Sequence, residues 1–318
     1  HSMLRYVIRR LILLVPVIAI VGTIVFVLIH LTPGDPAAVI LGPDATSEQI
    51  EQLRERLGLN EPLHWQYLHW FAGALQLDFG ESIFLGQPVT EALIDRAQPT
   101  LLLTLYALTI QIMIGVPFGV ISAVKHNSLV DRVLMVISIS GAAIPSFFLG
   151  IMLILLFAVR LQWLPSGGFT SVFEDPIAHA KQMFLPAFAL GFTSSGLLAR
   201  LVRSSMLDVL QEDYIRTAKA KGLPQRIMVI RHALRNALIP AITVIGYSLG
   251  GLLGGAVVTE TVFVIPGMGR LVVQSVARRD FPVIQGAIVL IAAFYVLANL
   301  LVDVLYVYID PRVRYGND

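Results

Sequence analysis

Residues able to carry out a reaction are few in this chain, and their spacing does not suit catalysis. No cysteine occurs among the 318 residues, which excludes disulfides, cysteine–zinc sites and thiol catalysis. The seven histidines stand at 1, 30, 64, 69, 126, 179 and 232. His64 and His69 are five apart, so on a helix they point to different sides, and no metal site is expected. The chain has no H-E-x-x-H zinc motif and no G-x-S-x-G nucleophile turn. It also lacks the G-x-x-x-x-G-K-[ST] loop that cradles phosphates, so it is not expected to hydrolyse ATP by itself. Among the acids, Asp303 alone lies well inside an apolar run. A proton relay would need a chain of such groups, and no other apolar run supplies one. The competing reading is a structural pair between Asp303 and a basic residue at the membrane rim. Glu260 and His30 stand near the ends of apolar runs and read as interfacial or structural.

The chemistry that the residues do offer is recognition. Asp213 to Pro240, DYIRTAKAKGLPQRIMVIRHALRNALIP, is a basic, helix-competent segment between two apolar runs. Asp213 is placed to cap a first helix. Tyr214, Ile215 and Ala218 share a small face fit for a groove, while Arg216, Lys219 and Lys221 point elsewhere or flank it. Gly222 suits the left-handed position after a helix end, and Pro224 the first position of the next helix. A short helix, a sharp turn and a second helix entering the membrane together make a connector for another protein.

The elements that position this connector are apolar. Hydrophobic residues make up 56% of the sequence and charged residues 14%, with a mean hydropathy of +0.77. Such values exclude an ordinary soluble domain. His1 and Ser2 before Met3 read as a tag remnant. Arg5, Arg9 and Arg10 then precede Leu11 to Leu31, an apolar run long enough to cross a hydrocarbon core of roughly 30 Å. A signal peptide is the alternative, but no small-residue cleavage site follows. Further spans are expected at Thr100–Val124, Val133–Val159, Pro186–Leu201, Leu238–Val264 and Ile284–Ile309. The one at Pro186 is short and polar in its middle, so it is expected to extend as helix into the cytoplasm. With the N-terminus inside, inside segments carry 15 Lys and Arg and outside segments 8. The basic loop 200–236 decides the orientation, and both termini are then cytoplasmic.

Residues 32–99 read as a small exterior helical domain. Thr46 with Gln49 has capping-box spacing, and Ile50, Leu53 and Leu57 mark a helix face before Gly58. Pro62 starts a second helix with an apolar stripe of Trp65, Leu68, Phe71, Ala72 and Leu75, and a short third helix is expected from Pro88. Ten acids against three arginines suit a docking surface for an exterior binding protein, or simply a solvated cap. Within the spans, Gly246, Gly250 and Gly254, with Gly251 and Gly255 beside them, form a flat strip for helix packing, inside the chain or against a partner. Pro145 should kink the third span, and with Ser146 marks a gate, a pathway bend or a fixed structural kink. Gln111 in the second span is suited to a helix–helix hydrogen bond.

The connector resembles the EAA loop of ABC-importer permease subunits. Arg216, Thr217 and Ala218 stand where that motif has Glu-Ala-Ala, Gly222 stands at its glycine, and Arg235 follows Leu234 where the general motif has proline. These departures from the sugar-importer pattern fit the peptide and nickel branch, whose permeases are similar to DYIRTAKAKG followed by RHALRNALIP. GDP at Gly34 to Pro36 and the closing LLVDVLY extend the likeness along nearly the whole chain. The resemblance implies an all-α, six-span type I ABC importer permease. Its parts would be 3–31, the exterior domain 32–99, a core 100–309 with coupling loop 200–236, and a tail 310–318. It also implies an ATPase-coupling site at Asp213, Tyr214, Ile215, Arg216, Thr217, Ala218, Lys219, Ala220, Lys221, Gly222, Arg231 and His232. The implied partners are a second, paralogous permease, two ATPase subunits or an ATPase homodimer holding ATP and Mg, an exterior binding protein and the inner-membrane lipid. No nucleic acid, and no metal or cofactor bound by this chain, is implied. The solute would be a dipeptide, oligopeptide or glutathione-like peptide, with a nickel complex as the alternative within the branch. A stand-alone channel or secondary transporter would show pathway charges or an inverted repeat, and neither occurs.

Overall fold

The computed structural model describes residues 2–309, with the side chains of 8, 9, 12, 13 and 15–304. The expected tail at 310–318 and His1 lie outside the described residues. Among the described residues every element is a helix, apart from one isolated bridge between Glu81 and Pro88. Among the described residues four helices are long and apolar enough to cross a membrane, and a bent pair makes a fifth span if its two arms count as one. The helix Ser2–Leu31 (α1) carries the remaining expected span, with Val15–Leu31 as its apolar stretch among the described residues.

The described residues form two compact units, one of those up to Pro99 with Pro266–Val296, the other of Thr100–Ile265 with those from Leu297 onward. In the first unit α1 is followed by α2 (Pro36–Leu41), α3 (Ser47–Arg56) and α4 (Leu63–Leu75). Thr46 accepts from the Gln49 N–H while the Gln49 side chain accepts from the Thr46 N–H, a complete capping box. Pro62 is the residue before α4, and Gly58 has the left-handed backbone that ends the preceding turn.

The stripe expected on α4 is not the face that packs. Trp65, Leu68, Ala72 and Leu75 are exposed. The inward face is aromatic instead. Tyr67 and Trp70 meet Phe26 of α1, and Tyr67 bonds Thr23 at 2.7 Å. A Cβ on Gly22 would come within 2.5 Å of the Trp70 ring, so that glycine makes room for the indole. The third short helix is likewise absent as a separate element. Residues from Val89 run unbroken to Val124 as one 36-residue helix, α5. The amphipathic helix α12 (Met268–Arg278) buries Met268, Leu271 and Ser275. Between it and α13 (Phe281–Ile309), Asp280 is buried and accepts from Ser82 Oγ at 2.5 Å, which ties the 80–88 turn to this unit.

The second unit is built around α8 (Pro176–Leu210), the most buried of the long spans. The helix extends nine residues beyond the expected end at Leu201, because Leu201 to Leu210 continue the apolar periodicity that buries Val202 and Met206. Its glycines take it close to neighbouring backbone. A Cβ on Gly191 would lie 2.5 Å from the Ala107 carbonyl oxygen, and one on Gly196 would run into that of Ser138. Gln111 of α5 accepts a bond from Ser248 Oγ at 3.1 Å, and fully buried Glu260 accepts one from Thr100 Oγ1 at 2.5 Å. Both polar groups thus join helices.

The third span departs most from expectation. Its two arms, α6 (Leu129–Ala143) and α7 (Ser146–Leu153, continued as a π-helix over Ile154–Arg160), meet at 104°. This is a break in the helix, well beyond a kink. Pro145 lacks an N–H, and it forces Ile144 out of the helical region, to φ −84° and ψ 127°.

Candidate coupling site

The segment after α8 folds as a short helix, α9 (Asp213–Ala220), then Gln225–Ile227 (α10), a π turn over Met228–Ala233, and the long span α11 (Leu234–Val262). Two details of the expected capping shift by one residue. The residue before α9 is Glu212, which makes no side-chain cap, so Asp213 lies inside the first turn. A carboxylate there is favoured by the helix dipole without closing a cap. Pro224 is the extended residue before α10, and Gln225 is the first helical one.

The end of α9 follows the physics of its glycine. Gly222 has φ 76°, its N–H reaches the Lys219 carbonyl at 3.0 Å, and the Leu223 N–H reaches that of Ala218 at 3.3 Å. This pair of bonds is the Schellman arrangement, which uses up carbonyls that the helix itself leaves unpaired. Nothing lies within 4 Å of a Cβ placed on Gly222. The residue is therefore required for its backbone angle and not for space.

The inner face of α9 packs on its own chain. Ile215 and Ala218 are buried in a cluster with Leu198, Val202 and Met206 of α8 and Met228, Val229 and Ala233 of the π turn. The small face expected to enter a partner's groove instead fastens the helix to two spans. Tyr214 is 42% exposed, and its hydroxyl accepts from Asn236 Nδ2 at 2.7 Å, a second tie to α11. Arg216, Thr217, Lys219, Ala220, Lys221 and Gly222 are exposed, as are Asp213 and Arg231, while His232 is half-buried. The one ion pair on this outer surface, Arg216 with Asp213 at 3.5 Å, joins exposed groups and contributes little. The arrangement is a rigidly backed basic face, chemically suited to binding and lacking any group poised for catalysis.

A polar network beside it had no motif to announce it. Asp131, buried in the first turn of α6, accepts from Arg203 Nε at 2.7 Å and from its Nη2 at 2.8 Å. The Asn127 N–H adds a bond at 3.0 Å, and His126 Nδ1 lies 3.5 Å from the carboxylate. Arg203 follows Val202 of the cluster that holds Ile215, so this clamp joins α6 to the part of α8 that carries α9. Ser128 caps the start of α6 by accepting from the Asp131 N–H three residues on, but the partner of the carboxylate lies 72 residues away.

Residues 115–315 match the family described as binding-protein-dependent transport system inner membrane component, and residues 3–104 match its N-terminal companion. The chain belongs to this permease family. A probable peptide ABC transporter permease protein, y4tP, of Sinorhizobium fredii is 46% identical over 98% of this chain and 99% of its own length. The glutathione transport system permease protein GsiC of Escherichia coli is 45% identical over 98% of this chain and all of its own. Among solved structures, the inward-facing MetNI methionine ABC transporter superposes with a TM-score of 0.58 at 19% identity, covering 69% of this chain and 96% of that one. At that identity the match speaks for the fold alone, a type I importer permease.

In the permease the glycine strip divides. A Cβ on Gly246 would meet Val302 at 2.7 Å, and one on Gly255 would meet Leu190 at 2.6 Å. Gly251 and Gly254 are exposed with nothing within 4 Å, and Gly250 is half-buried. The single strip read from the sequence is therefore two faces, because α11 packs on different neighbours at its two ends. Pro145 is exposed and Ser146 half-buried at the break between α6 and α7.

Proposed function

We propose that this permease is the membrane subunit of an ABC importer for small peptides, di- and oligopeptides or glutathione-like, and that α9 is where the ATPase subunits dock. One observation carries the docking assignment: α9 is locked on its inner face into the cluster of α8 and the π turn, while its basic outer face is open. A load on that face is transmitted to two spans at once. ATP-driven closure of two ATPase subunits would then move α9 as a lever and switch the spans between inward-open and outward-open forms. ATP and Mg belong to those partners. A second, paralogous permease and an exterior binding protein that meets residues 32–99 complete the complex in the inner membrane. Loop 200–236 and both termini face the cytoplasm, in keeping with the distribution of Lys and Arg. The peptide assignment is supported by the names of relatives at 46% and 45% identity over nearly the full chain.

The test is uptake by proteoliposomes holding the permease with its cognate permease, ATPases and binding protein. Labelled dipeptides, an oligopeptide, glutathione and a nickel chelate are offered in turn. Peptide accumulation that depends on ATP is expected. Accumulation of the nickel chelate with no peptide uptake would overturn the peptide assignment.

A further inference from the structure

The break in the third span has a consequence for what surrounds it. On its two sides the Ile144 N–H bonds the Ser140 carbonyl and the Leu149 N–H bonds that of Pro145, so neither arm completes the other's ladder. The last carbonyls of α6 and the first amides of α7 therefore need partners from outside this helix pair. Hydrocarbon supplies none, and a backbone group left unsatisfied there is costly, so irregular backbone at membrane depth lines water or is buried in protein. In this chain the break is open. Ala142, Ala143, Pro145, Phe147 and Phe148 are exposed, and Ser140 is exposed beside them.

The helix that carries both arms has one uncovered stripe. Phe184, Phe188 and Phe192 recur every four residues on α8 and stack, with ring centroids 6.1 and 5.5 Å apart and planes within 23° and 8°. Phe184 is 52% exposed, and the other two are half-buried, while Leu185, Ala189, Leu190 and Gly191 around them are buried. The stripe leads to the break. A Cβ on Gly141 of α6 would lie 2.8 Å from the Phe192 ring, so Phe192 rests on the last turn before the break. On the other arm, a Cβ on Gly150 would lie 3.9 Å from that of Ala189.

From this juxtaposition we infer that the Phe184–Phe188–Phe192 ladder and the 143–146 break line the aqueous translocation path, and that the ladder contacts the side chains of the passing peptide. The inference rests on the importer reading and adds to it a surface and a preference. A row of flat apolar rings beside water and free backbone groups suits a peptide, whose amides pair with the break and whose apolar side chains lie on the rings. Rings offer contact without directed hydrogen bonds, which tolerates varied side chains.

The absence of native cysteine permits a direct test on the assembled importer. Phe184→Cys, Phe188→Cys and Phe192→Cys are made singly, with Met113→Cys, 69% exposed on α5, as the comparison. A small charged methanethiosulfonate reagent reacts with thiolate, which forms in water and not in hydrocarbon. Reaction at two or more ladder positions at least tenfold faster than at Met113→Cys, and slowed by a transported dipeptide, is expected. Rates no faster than at Met113→Cys place the ladder against lipid or a partner subunit and overturn the inference. Fast reaction unaffected by any dipeptide overturns the peptide contact. Uptake by the unsubstituted importer is read separately, so loss of the peptide assignment is seen there, whatever the thiols report. A second variant, Phe188→Leu, keeps an apolar side chain but removes the ring. It is expected to lower uptake of a phenylalanine-containing dipeptide at least threefold relative to diglycine, and an unchanged ratio overturns the preference.

Discussion

At the scale of single residues, Gly222 is the most exposed point of the coupling assignment. Its φ of 76° is a backbone state that costs a β-branched residue on the order of 1–2 kcal/mol. Since open space surrounds it, Gly222→Val introduces that strain without a clash. Insertion of the spans depends on their apolar length and should be unaffected. Membrane abundance near normal is therefore expected, with weaker ATPase retention or hydrolysis uncoupled from uptake. Co-purified ATPase, abundance and uptake are the quantities to measure. Normal uptake would count against docking at α9. If the loop were merely attracted to anionic lipid, neutralising Arg216, Lys219 and Lys221 together would be the more damaging change.

At the scale of elements, the Asp131–Arg203 clamp makes a prediction about order. Arg203→Ala strips a buried carboxylate of its guanidinium and leaves it the Asn127 N–H and, 3.5 Å away, His126, whereas Asp131→Asn leaves a guanidinium that is 25% exposed and able to turn to water. The arginine variant should lose more stability, toward the lower end of roughly 3–5 kcal/mol. Thermal unfolding of the purified permease would show it, and an equal or reversed order would mean that the clamp is not a structural pair. The sequence revealed helices better than faces. Capping at Thr46, the turn at Gly222 and the apolar runs were legible because each is set by residues close in the chain. The inward face of α4 was not, since Tyr67 and Trp70 are chosen by Phe26 and Gly22 of α1. The clamp was hidden for the same reason. At Pro145 the local signal was read correctly, but its size was not. Pro145 accounts for a lost bond, while a 104° bend also depends on α8 holding both arms.

At the scale of the whole molecule, topology and division of labour are both open to measurement. Single cysteines at Asp44 and Gln225, both exposed, test the side of the membrane on which each segment lies. An impermeant thiol reagent on intact cells should label Asp44→Cys and spare Gln225→Cys, and the opposite pattern would invert the assignment of loop 200–236. In the proposed division of labour this chain is a conduit driven by separate ATPase subunits, in keeping with a sequence that lacks a phosphate-cradling loop. The decisive measurement is ATP hydrolysis and peptide uptake in the same vesicles, with the permease alone and with its partners. Neither activity is expected from the permease alone, and both together once ATPases, the second permease and the binding protein are present. Hydrolysis by the permease free of any partner, or peptide flux through it without ATP, would contradict that division of labour.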